Sequence, residues 1–249
     1  MKKIIKLIIG MLLIGVIAVS SFFICNSFKE KNKAENEIEN IEAIVNIVEK
    51  NDTTEDNLAE NKDSNLQSVY NINNDVVGWI KIDGTNVNYP VMQTKDRQNY
   101  YLKRDIYKNY SYYGTPYVSE NCDIENGDNI IIYAHNMKDN AMFGDLEKYK
   151  TKAFYKSHKI IEFNTLKGTG KYEVVTVFKT VLYTESTFKY YEFTKANNEK
   201  EYNAFISKCK AVSFYNTGVS AKYGDKLITL STCEYSSENS RLVVVAKKI

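Results

Sequence analysis

Leu227-Ile228-Thr229-Leu230-Ser231-Thr232-Cys233 is an apolar, β-branched run that ends on a cysteine. The polar stretch Glu234-Tyr235-Ser236-Ser237 follows, and Arg241 then opens a second apolar run, Leu242–Ala246. Length and composition read as two buried strands, Lys226–Ser231 and Leu242–Ala246. The loop between them is long enough for an antiparallel return, which would bring Arg241 back beside Cys233. A residue at the end of a buried strand is held rigidly and still opens onto a cleft. A thiol nucleophile needs both conditions. On position alone the alternative is a cysteine that merely packs.

Similar segments extend outward through the chain. Val76–Ile82 and Val87–Val91 read as strands joined by the turn Asp83-Gly84. Asn129–Ala134 reads as a buried strand that runs into His135, and Lys159–Phe163 and Lys171–Thr184 as two more. Met142, Phe143, Leu146 and Tyr149 fit one face of a short helix, and Tyr202, Phe205, Ile206 and Cys209 mark another within Asn198–Lys210. Alternating βαβ units are absent, so a closed or nearly closed β-barrel with helical insertions is expected.

Composition narrows the function classes. Of 249 residues, 43% are hydrophobic and 26% charged, too apolar for wholesale disorder. The formal charge of +2 gives no global reason to expect a nucleic-acid partner. Four cysteines without a CxxC pair exclude a disulfide-dense scaffold and a Cys-rich zinc site. Imidazole chemistry must use His135 or His158; the latter, among Lys156, Ser157 and Lys159, reads as an exposed surface residue. Arginine occurs only at positions 97, 104 and 241, so Arg241 is a candidate for work that needs a planar guanidinium, with a surface ion pair as the alternative.

Lys2, Lys3 and Lys6 precede the uncharged run Leu7–Cys25. As a helix it spans roughly 28 Å, about one bilayer. A signal anchor with the basic segment 1–6 in the cytoplasm and the remainder outside is the favoured reading. A cleavable signal peptide and a lipoprotein signal ending at Cys25 compete with it; the run is long for the first, and Ile24 is bulky for the second. Residues 26–65 read as a stalk: helical spacing around Ile38, Ile41, Val45 and Val48, then a polar linker over Asn51–Asp63. The folded domain is expected over 66–249.

Taken together, a cysteine, a histidine and an arginine, each at the end of an apolar strand, suggest a thiol acyl-transfer site. The residues around them resemble a known family. Thr229-Leu230-Ser231-Thr232-Cys233 with downstream Arg241 resembles the T-L-(S/T)-T-C signature of the sortases, and Tyr133-Ala134-His135-Asn136-Met137 is similar to their histidine segment. Asn74–Ile80, Asn88-Tyr89-Pro90-Val91 and Tyr101-Leu102 point to class B of that family. Ala134 stands where the family usually carries Gly, and Gln98 where class B members often carry Asn.

The resemblance implies an eight-stranded sortase-like β-barrel, mainly β, with N-terminal helices and a helix inserted before the cysteine strand. It implies a membrane-anchored cysteine transpeptidase of Gram-positive bacteria. Cys233 would attack the Thr carbonyl of an NPxTG-like sorting motif in surface proteins, and a peptidoglycan precursor or crossbridge amine would resolve the thioester. His135 would be the acid and base, and Arg241 with the Glu234 backbone N–H would meet the oxyanion. Tyr133, Ser231, Leu102 and Gln98 would contact the sorting peptide. No metal or cofactor is implied. A pilus-assembling sortase, a thiol peptidase with the same site, or a non-catalytic tethered binding module are the alternatives.

Overall fold

The computed structural model describes residues 2–51, 66–183 and 188–249. The chain divides between Asn40 and Ile41 into two compact units. The first is the greater part of helix α1 (Lys2–Asn51). Its large apolar side chains from Ile4 to Phe28 stand exposed, and it is long and apolar enough, by length and composition, to cross a membrane. The helix expected over Phe28–Lys50 is present as its continuation. Of the expected polar linker, all but Asn51 lies outside the described residues.

The second unit is built on eight strands: β1 (Val76–Lys81), β2 (Asn88–Met92), β3 (Tyr117–Val118), β4 (Asn129–Tyr133), β5 (Ile160–Asn164), β6 (Lys171–Val181), β7 (Leu227–Cys233) and β8 (Ser240–Lys248). They close into a barrel in the order β1-β2-β3-β4-β7-β8-β6-β5, with β5 pairing back onto β1. β2–β3 and β4–β7 are parallel and the other pairs antiparallel, so the sheet is mixed. Closure leaves no free sheet edge. The barrel expected from the strand pattern is therefore the one observed.

Burial follows the patterns in the sequence. Ile131, Ile132, Ile228, Leu230 and Leu242 to Ala246 are fully excluded from solvent, as continuous apolar runs require when both faces are covered. One cover is α4 (Glu199–Ala211), inserted between β6 and β7. Asn198 caps it by accepting from the Glu201 N–H, with Glu199 and Glu201 in the first turn and Lys208 and Lys210 in the last, as the helix dipole favours. Its buried face, Tyr202, Phe205, Ile206 and Cys209, packs with Phe178, Tyr190 and Val243. A short helix α2 (residues 66–72) belongs to a second cluster in which Leu66 and Val69 join Met92, Tyr101 and Tyr117.

Several local readings change. The helix expected around Met142–Tyr149 is a 3-10 helix, Gly144–Lys150, and Met142 itself has φ 55°. A tight turn precedes it: Asn140 N–H donates to Met137 O, and Gly144 lies against the same carbonyl. Helix α3 (Lys152–Ser157) follows at once, capped by Thr151, which ends one element and starts the next. β3 has two residues, too few to leave a period in the sequence.

Candidate active site

The β4–β7 register decides what meets at the end of the barrel. Parallel pairing runs from Asn129 opposite Leu227 to Tyr133 opposite Ser231. His135 lies two residues past the last pair on the β4 side, and Cys233 two residues past it on the β7 side. Bonds beyond the last pair tie the two ends together: Ala134 N–H donates to Ser231 O (3.3 Å), Thr232 Oγ1 to Ala134 O (2.8 Å), and Asn136 Nδ2 to Cys233 O (2.8 Å). On the other side of β7, the antiparallel register sets Cys233 directly opposite Arg241. Residues paired across strands share a face, so Tyr133 lies with Ser231 and Cys233 with Arg241, and His135 follows Tyr133 by two residues at the same end of the barrel.

Each member is held differently. Cys233 is half-buried, whereas Cys122 and Cys209 are enclosed. Cys122 Sγ accepts from Ile131 N–H (3.3 Å), and burial pushes its thiol up to about 11; burial also pushes the Cys209 thiol up. Both are core residues, Cys122 despite its polar neighbours. Arg241 Nη1 donates to Ser240 O (3.0 Å). His135 is half-buried, with Nε2 2.7 Å from Leu102 O. A carbonyl has no proton to give, so Nε2 carries the hydrogen and Nδ1 is left to accept. Burial lowers the His135 pKa and nearby Lys103 lowers it further, while the bond to Leu102 acts in the opposite sense.

Tyrosines line the neighbourhood. Tyr190 is buried and its hydroxyl is 2.6 Å from Ser231 Oγ; burial pushes its phenol up to about 12 against the cationic pull of Arg241. Tyr117 packs on Tyr133 with ring centroids 5.6 Å apart, and burial raises both phenols. Tyr235 OH donates to Asn136 O (2.5 Å). Among the described residues, no group of three or more His, Cys, Asp or Glu is placed to hold a metal ion.

Glu234 departs from expectation. Its backbone N–H, read as an oxyanion donor, donates to Ser240 O (2.9 Å). Its side chain is buried rather than presented to a peptide. It accepts from Lys150 (2.6 Å), from Ser236 Oγ (2.6 Å) and N–H (3.1 Å), and pairs with Lys179 (3.1 Å). The β7–β8 loop closes on itself through Ser240, and that closure consumes the donor. Gln98 is exposed just before the 3-10 turn Tyr100–Lys103. Its neighbour Asn99 makes the contact there, accepting from Tyr117 OH (2.7 Å). His158, read as exposed, stacks on Phe154 at 3.8 Å and donates from Nδ1 to Phe154 O (2.9 Å).

Comparison with known proteins shows the family. A family model described as the sortase domain matches residues 80–249. Sortase B of Staphylococcus aureus is 39% identical over 181 residues, 72% of each chain. The chain belongs to the sortase family, class B. A solved Staphylococcus aureus sortase B–substrate complex superposes with a TM-score of 0.77 at 32% identity, covering 88% of this chain and 98% of that one. A sortase B complexed with triglycine does so at 0.76 and 32%, with the same coverage. As a sortase B-type cysteine transpeptidase, the chain has the closed barrel and the N-terminal helix of its relatives' fold.

Two residues around the sortase site escaped the sequence reading. Asn136 bridges Cys233 O and Glu147 Oε1 (3.1 Å), and Tyr190 reaches Ser231 from the insertion. Asn136 follows His135 directly, and that adjacency was the available signal. Tyr190 carried none, being one of 20 tyrosines.

Proposed function

We propose that this sortase cleaves an NPxTG-like sorting motif after Thr and joins the acyl group to a peptidoglycan precursor or crossbridge amine. Cys233 is the nucleophile, His135 the acid and base, and Arg241 the oxyanion donor. The observation that supports this is that β7 pairs with β4 on one side and β8 on the other, with Cys233 opposite Arg241 and His135 two residues past the last β4–β7 pair. The Cys233 proton passes to His135 Nδ1 as sulfur attacks the Thr carbonyl. Arg241 meets the developing negative oxygen. The imidazolium then gives the proton to the leaving amine; the incoming amine gives one to His135 as the thioester breaks, and His135 passes it to the departing Cys233 sulfur.

Tyr133, Ser231, Leu102 and Gln98 are placed by the proposal along the peptide, with the oxyanion role resting on Arg241 while Glu234 N–H stays on Ser240. The substrate complex and the triglycine complex of related sortases support a peptide donor and an amine acceptor. Exposed apolar side chains along α1 support a single membrane span over 7–25, with 1–6 inside, 26–65 as stalk and 66–249 outside.

The test is a peptide-cleavage assay with an added amine. Cys233→Ala abolishes turnover, and a methanethiosulfonate blocks the wild type. Arg241→Lys loses about 100-fold or more, because the charge stays and the fork geometry goes. Turnover by Cys233→Ala sinks the assignment; product that never contains the added amine sinks transpeptidation in favour of hydrolysis.

A further inference from the structure

The Leu102 carbonyl fixes which nitrogen of His135 carries the proton, yet it sits on a single 3-10 turn, Tyr100–Lys103. Such turns have poor hydrogen-bond geometry and little stability of their own. The cap residue Asn99 offers this one no side-chain bond. Something else must hold the carbonyl in place.

Tyr101 is 1% exposed, and its phenol makes two short bonds at the far side of the turn. It donates to Asp75 Oδ2 (2.6 Å) and accepts from Asn73 Nδ2 (2.8 Å), which also donates to Ile106 O (2.7 Å). Asp75 is a strong acceptor because Lys108 Nζ lies 3.1 Å away and Arg97 3.8 Å away. Burial works against its charge, but the bonds from Tyr101 and Lys108 hold its carboxyl below the usual range. Burial beside that carboxylate raises the Tyr101 phenol. The proton therefore stays on the tyrosine, and the bond is charge-assisted. Asp75 is itself tied to the barrel, since its carbonyl accepts from Gln93 N–H (2.7 Å) just ahead of β1. From the other side, Thr115 N–H donates to Tyr101 O (3.0 Å), and Gly114 presses on the turn so closely that a Cβ would stand 2.5 Å from Leu102 O.

We infer that Asp75 and Tyr101 are positioning residues: the carboxylate–phenol pair anchors the turn so that Leu102 O holds His135 in the Nε2–H tautomer with Nδ1 left to accept a proton. The inference rests on the proposed role of His135 and deepens it. Neither residue touches the thiol or the peptide; they act through the carbonyl.

Two histidines make the test clean. His158 donates from Nδ1 and His135 from Nε2, so 15N-histidine NMR of the full chain in detergent micelles shows two opposite tautomers, with His158 as internal control. Tyr101→Phe keeps the ring and removes both phenol bonds. The expected result is mixed tautomers at His135, an unchanged His158, and kcat/KM for peptide cleavage at least 10-fold lower. Asp75→Ala does the same, while Asp75→Asn, which retains an acceptor oxygen, restores most of the Nε2–H population. Gly114→Ala, which strikes the carbonyl directly, serves if the Tyr101 variant fails to fold. His135 spectra and cleavage at wild-type values in both Tyr101→Phe and Asp75→Ala overturn the inference. So does a His135 that responds to Gly114→Ala and ignores Asp75→Ala. A shifted tautomer with undiminished cleavage upholds the anchoring and instead refutes the acid–base role of His135.

Discussion

Removing the Glu234 charge has a cost that can be worked from its surroundings. Burial alone would raise this carboxyl, yet bonds from Lys150, Ser236 and Lys179 hold it at about 2 instead of 4.5. At 1.36 kcal/mol per unit, that difference is roughly 3 kcal/mol of folding stability. Lys150 and Lys179 keep 32% and 30% of their side chains exposed, so solvent screening reduces the figure to about 2 kcal/mol. A carboxyl depressed by folding contributes fully above its unfolded value and loses that contribution as pH falls. The window here runs from about 4.5 down to about 2. Glu234→Gln should therefore lower the urea midpoint by about 1 M at pH 7, for a slope near 2 kcal/mol/M. The gap to wild type should close as pH approaches 2. Trp79, the single tryptophan, is half-buried with Nε1 bonded to Asn88 (2.7 Å), and its fluorescence reports the barrel. A deficit under 0.5 kcal/mol on the order-of-magnitude scale of an ordinary surface change, or one of equal size at pH 7 and pH 2.5, refutes the reasoning.

Three further outcomes are expected. Gly78→Ala places a Cβ 2.6 Å from both Asn164 O and the Phe163 ring, so it should destabilise the β1–β5 seam by about 1–3 kcal/mol in the same titration; a neutral result would mean the seam is looser than drawn. The His135 imidazole should titrate below 6.5 by NMR in the free enzyme, because burial and Lys103 disfavour its cation; a midpoint at or above 6.5 contradicts this. Tyr190→Phe should cost about 1 kcal/mol by leaving the enclosed Ser231 hydroxyl without that partner, read as a lower unfolding midpoint.

The barrel was legible because its central strands are long apolar runs that need no context. Leu227–Cys233 and Ser240–Lys248 are buried over most of their length, so composition alone marks them. The Asp83-Gly84 turn and the α4 stripe were legible for the same local reason. Two-residue β3 and the 3-10 turns carry no period, and their shape comes from what packs on them: Tyr101 on Asp75, Gly144 on Met137. At the site, the strand-end positions of Cys233, His135 and Arg241 could be read, since strand ends are local. Bonds such as Asn136 to Cys233, 97 residues apart, could not. The fate of the Glu234 N–H depended on how a loop closed, and no spacing in the chain records that.

Cys233 ends β7 and His135 follows the end of β4, its parallel neighbour, and the Thr232–Ala134 bond that joins these ends spans 98 residues of chain. Parallel neighbours cannot zip from a hairpin; the ribbon between them must first be gathered up. Under the proposed mechanism, thiol and imidazole therefore come together only after the intervening chain has been gathered in.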